Sequence, residues 1–213
     1  MEIYSTEEQQ VEAIKSFWKE NGMQIVVGAL LGLGGFIGYN QYVDSKLAAQ
    51  EEASASYQAF VEATQISDVS AETYAAELKT FTDAHGDSGY GAFANLLAAK
   101  NSVENGEFDK AIGFLESAKV NVTDDSLTGL IDTRLARIYL ELSQYDKALS
   151  VLAAITNEGY KARASELKGD VYLAQGDATK ARMEYQAAAD AGGLDGNNLL
   201  QMKIDDLTVS NNG

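Results

Sequence analysis

One histidine stands in the whole chain, His85, in the segment DAHGDSG between Asp83 and Asp87. An imidazole flanked by carboxylates has the ingredients of a metal site or of acid–base chemistry. The partners such chemistry needs are missing from the sequence. Cysteine is absent and there is no second histidine, which makes a poor zinc set. Asp124 and Asp125 lack the spacing of a calcium loop. One loop histidine cannot define a Ser–His–Asp relay, and no phosphate-cradling glycine loop is present. The sequence therefore assigns no catalytic residue, no metal and no cofactor. It reads as a binding protein, not an enzyme.

Charge narrows what it binds. The 213 residues carry 32 acidic and 16 basic side chains, a net charge of −16. A surface this acidic repels phosphate backbones, which argues against nucleic acid. Without cysteine there is no disulfide framework. Proline is also absent, and Ala, Leu, Glu, Gln and Lys are abundant. Few helix breakers and many helix formers predict an all-α protein.

The residues best placed to recognise a partner come from a repeat. LARIYL (135–140) and KGDVYL (168–173) occupy equivalent positions 33 residues apart. An earlier copy at Ala99 lies 37 residues before the next, with VNVTDDSL (120–127) as a longer loop. Small residues mark both helices of each copy: Ala99, Ala136 and Gly169 on the first, Ala111, Ala148 and Ala181 on the second. Small side chains at those points let neighbouring helices approach. The turns GEFDKA, SQYDKA and GDATKA join them. This spacing resembles the tetratricopeptide (TPR) pattern of stacked helix–turn–helix units near 34 residues. It predicts an α-solenoid of three to four helix pairs, with pairs near 91–118, 127–155 and 160–190. Helices at 44–66 and 70–84 would lead the stack. Leu199, Leu200, Met202, Ile204 and Leu207 mark a capping helix at its end. By helical phase Lys100, Arg137 and Asp170 follow the small residue of each first helix, and are expected to point into the concave groove. The alternative is that they are ordinary solvated charges.

The repeat is tethered. Met23 to Val43, MQIVVGALLGLGGFIGYNQYV, holds 21 residues and no charge. As a helix it is roughly 30 Å long, the thickness of a bilayer's hydrocarbon core. A cleaved signal peptide fits poorly: the preceding segment is net acidic and the nearest A-x-A, Ala53-Ser54-Ala55, comes too late. The predicted domains are thus a short amphipathic segment 1–22, a transmembrane helix 23–43 and a TPR-like domain 44–213. Gly28/Gly32 and Gly34/Gly38 have the spacing that permits close helix packing in lipid. In residues 1–22, Ser5 and Glu8 have capping-box spacing and Gly22 is placed to end a helix. Val11, Ile14, Phe17 and Trp18 share one side, which suits a headgroup-level helix or a partner. Lys15 and Lys19 before the span, against Lys46 after it, favour a cytoplasmic N-terminus.

The whole chain resembles the YfgM family of ancillary SecYEG translocon subunits. The resemblance rests on MEIYSTEEQQVEAIKSFWKENG, the glycine-rich span, TRLARIYLEL and the closing LLQMKIDDL. It implies a single-pass protein of the bacterial inner membrane with its TPR domain in the periplasm. The implied partners are the translocon and a membrane-anchored chaperone of the PpiD type. The implied role is helping secreted proteins pass to periplasmic chaperones. A second role implied for the family is restraint of a stress-response regulator through the cytoplasmic segment.

Overall fold

The computed structural model describes residues 7–64, 69–120 and 122–209. Among these residues the chain is helical and contains no strand. It forms two compact units, Met1–Glu52 and Ala53–Gly213.

The first unit consists of helix α1, which runs Glu7–Thr64 and so extends past the unit's limit. Gly22 does not end a helix, contrary to the expectation from sequence: α1 continues through it. An interior glycine costs only about 1 kcal/mol, and strong helix formers flank this one. A Cβ added at Gly22 would meet the Trp18 ring at 3.4 Å, and Asn21 Nδ2 donates to the Phe17 carbonyl at 3.1 Å. The capping pair Ser5 and Glu8 lies outside the residues whose side chains are described. Across 23–43 the large apolar side chains are exposed on every side, with Met23, Leu31 and Phe36 all more than half accessible. Among the described residues this is the one helix long and apolar enough to cross a membrane.

In the second unit the predicted pairs form: α2 (Ala71–His85), α3 (Gly89–Glu104) with α4 (Phe108–Val120), α5 (Asp125–Glu141) with α6 (Tyr145–Ala153), and α7 (Glu158–Ala174) with α8 (Ala178–Ala188). A π-type turn, Ala189–Gly193, leads to α9 (Asn198–Val209). The repeat residues pack as their size predicts. Ala99, Ala111, Ala136, Ala148 and Ala181 are all buried, as is Gly169. Between them Leu96, Leu115, Ile131, Leu135, Leu152, Leu167 and Val171 form the central core. The last turns of α1 close one end with aromatic rings: Phe60 stacks on Phe81 at 5.8 Å, and Tyr57 meets Tyr90 at 5.5 Å.

The three turns are the same turn. After each first helix one residue is left-handed: Gly106 (φ 72°), Ser143 (φ 57°) and Gly176 (φ 81°). The following amide reaches back five residues each time: Glu107 to Ser102, Gln144 to Tyr139 and Asp177 to Tyr172, at 2.7–2.9 Å. This is a Schellman termination, which suits glycine because it carries no Cβ. Ser143 adopts it without that freedom, held by the same hydrogen bonds. The capping helix differs from expectation in one respect. Leu200 is fully buried and Ile204 and Leu207 pack beside it. Leu199 and Met202, however, are 57% and 60% exposed on its outer side.

Candidate interaction groove

The first helices of the pairs carry Lys100 on α3, Arg137 on α5 and Asp170 on α7. The structure brings two of these together and sets the third apart. Lys100 and Arg137 line one cavity of about 360 Å³, with Arg134, Glu104, Val103, Leu115, Ile138 and Ala99. Its floor is apolar and its rim is basic. Lys100 pairs only loosely with Glu104, at 3.6 Å, and both side chains are well exposed. Arg134 and Arg137 lie one helical turn apart on α5 and are both exposed. Among the described residues, the other ion pairs of this unit engage Lys79, Lys110, Lys119, Lys161, Arg163, Lys180 and Lys203, but neither of these arginines.

Asp170 has a different task. Its Oδ1 accepts from Tyr185 Oη at 2.8 Å and from Lys203 Nζ at 2.6 Å. Lys203 belongs to α9, so Asp170 holds the capping helix. The same ammonium donates to Glu166 Oε1 at 2.9 Å, and Arg163 Nη1 donates to Glu166 Oε2 at 2.7 Å. Asn197 Nδ2 donates to Glu166 Oε2 at 3.2 Å. Sequence reasoning missed this network, although a signal for it exists. Lys203 lies 33 residues after Asp170, so α9 repeats the register of a first helix. Burial alone would raise the Glu166 carboxyl, but Lys203 and Arg163 outweigh it and hold the group below its ordinary value of 4.5. Burial, with Asp170 beside it, pushes the Tyr185 hydroxyl far up, so it stays a donor.

A test of the network is Lys203→Met. It leaves Asp170 and Glu166 short of their cation and is expected to cost about 2 kcal/mol at neutral pH. A carboxyl held below its unfolded value contributes stability above that value and loses it as pH falls through the folded value. Wild-type stability should therefore fall below about pH 4.5 more steeply than that of Lys203→Met. Urea titrations of both chains at neutral and acid pH measure this.

The remaining sequence candidates have structural duties. Asp83 pairs with Lys79 at 2.7 Å. The His85 ring rests against Phe81 at 5.7 Å, and its carbonyl accepts from Ser88 Oγ at 2.6 Å. Asp124 caps α5, accepting from the Leu127 amide at 2.7 Å. A larger cavity, about 690 Å³, is lined by α2, α3 and α4 with Tyr74, Leu78 and Phe114. Burial pushes the Tyr74 hydroxyl up to about 12. The rim charges there are spent on each other, Lys79 with Asp83 and Lys110 with Glu107.

On α1 a Cβ added at Gly28, Gly32, Gly34 or Gly38 would meet nothing within 4 Å. At about 100° per residue Gly28 and Gly32 share one face with Gly35, whereas Gly34 and Gly38 lie on another. The two glycine pairs are therefore separate faces of one helix.

The architecture defines a class: a helical-repeat protein of the tetratricopeptide kind, with an N-terminal apolar helix. The family profile described as "Tetratricopeptide repeat-like domain" matches residues 15–209. The chain is 35% identical to the "Ancillary SecYEG translocon subunit" of Escherichia coli (strain K12), over 98% of this chain and 100% of that protein. It is 31% identical to the protein of the same name from Haemophilus influenzae, over 94% of this chain and 97% of that one. The Neisseria gonorrhoeae protein of that name matches at 31% over 97% and 100%. The chain belongs to the family of ancillary SecYEG translocon subunits.

Proposed function

We propose that this protein is a membrane-anchored adaptor at the SecYEG translocon, helping pass secreted proteins to periplasmic chaperones. Residues 23–43 span the inner membrane once, with 1–22 in the cytoplasm and the repeat unit in the periplasm. A PpiD-type membrane-anchored chaperone is its neighbour. The protein works by binding and has no catalytic step. One observation carries this reading: the match to ancillary translocon subunits runs through the apolar helix and the repeat together. A second reading gives residues 1–22 the task of restraining a cytoplasmic regulator. The exposed Val11, Ile14, Phe17 and Trp18 on α1 favour keeping it.

Orientation is tested with protease on intact spheroplasts. The repeat unit should be digested without lysis while the N-terminal tail is protected. Protection of the repeat unit until the membrane is broken would reverse the topology and remove periplasmic chaperones as its direct partners. The glycine face is proposed as the lateral contact. Gly28→Leu with Gly32→Leu should leave insertion intact, since leucine raises hydrophobicity. It should also cut in-membrane crosslinks through α1, because leucine fills the space that permits close backbone approach. Crosslinks at wild-type yield would move the contact to the repeat unit.

A further inference from the structure

The geometry points to the cavity between α3 and α5 as a binding site for a short, extended peptide segment that alternates carboxylate and apolar side chains. This deepens the adaptor reading and rests on it, by naming the chemistry of what the groove takes. Three observations converge. First, in a chain of net charge −16, Lys100, Arg134 and Arg137 meet at one rim with Glu104 as the sole carboxylate among the lining residues. Second, among the described residues Arg134 and Arg137 have no ion pair, although most basic side chains of the unit have one. Unpaired guanidinium groups one turn apart offer two planar, fork-shaped donors to carboxylates. Third, the floor beneath them is apolar, made by Val103, Leu115 and Ile138. It leaves space for an aliphatic side chain between two charges.

The occupant's size follows from the boundaries. At the next step of the repeat Asp170 is already held by Lys203 of α9. The open site is thus confined to the α3–α5 step, and a volume of about 360 Å³ takes a few side chains, not the length of a helix. The acidic remainder of the surface does not prevent this. At physiological salt the Debye length is about 8 Å, so distant carboxylates are screened while contacts at the rim are felt.

The test uses the full chain purified in neutral detergent and a fluorescent, N-acetylated, C-amidated peptide alternating leucine with aspartate and glutamate. A second peptide carries asparagine and glutamine in place of the acids. Anisotropy should show binding of the acidic peptide, at least about tenfold weaker binding of the amide peptide, and a similar loss in Arg134→Glu with Arg137→Glu. Binding of the acidic peptide should weaken at 1 M salt, where the Debye length is about 3 Å. Both arginines are exposed and unpaired, so the variant's melting temperature should equal that of wild type. Equal binding of the two peptides, or no loss in the variant at an unchanged melting temperature, would overturn the proposal. So would a change of oligomeric state in the variant, which would make a second copy the occupant. The assay contains no translocon, so its outcome is separate from that of the adaptor reading.

Discussion

Gly169→Leu is expected to destabilise the repeat unit by about 3 kcal/mol, near the top of the range for overpacking. A Cβ at Gly169 would lie within the volume of the Tyr185 ring. That ring has nowhere to move. Tyr185 is fully buried, its hydroxyl is tied to Asp170, and Lys203 sits 5.4 Å above its face. Displacing it also loosens Leu200 and the capping helix, because they share one small core. For a domain of this size the melting temperature should fall by about 6–12 °C, at about 2–4 °C per kcal/mol. Circular dichroism of the full chain in detergent follows it. An unchanged melting temperature would mean that α7 and α8 do not cross at Gly169.

Ala148→Trp tests the same principle in the middle of the stack, at about 3 kcal/mol. Ala148 is fully buried on α6, within the core that also holds Ala111 and Leu152. An indole there forces α5 and α6 apart. Ala153→Trp, at an exposed position of the same helix, should stay within about 0.5 kcal/mol of wild type. Similar losses in both variants would show that the small residue is not what sets the crossing.

These positions were legible in the sequence because a repeat states the same packing problem several times. Ala136 alone would be one more alanine. Ala99, Ala136 and Gly169 at matching places identify a helix crossing. The turns were legible for the same reason, and Gly106 and Gly176 announced their left-handed backbone. Ser143 did not, since nothing in the residue itself marks a positive φ. The groove was legible only in part. Helical phase put Lys100, Arg137 and Asp170 on one face. Phase within α7 cannot show that α9 brings Lys203 onto Asp170; only the 33-residue register shared by the two residues pointed to that contact. Arg134 escaped notice because the repeat puts Leu167 at its equivalent place, so it breaks the pattern that exposed the others. The continuity of α1 was hidden by Gly22, whose φ is settled by its neighbours and not by its own freedom.

The central claim is association with the translocon through a chain anchored by α1. It is tested most directly by photo-crosslinking in intact inner membranes. A photoreactive residue is placed in turn on the Gly28–Gly32 face, at Arg137 in the groove, and at an outward position such as Met183. The account predicts adducts with a translocon subunit from the span face. From Arg137 it predicts adducts with secreted chains or a membrane-anchored chaperone. Met183 should give neither. Absence of translocon adducts from every position, in a chain shown to be inserted and folded, would contradict it.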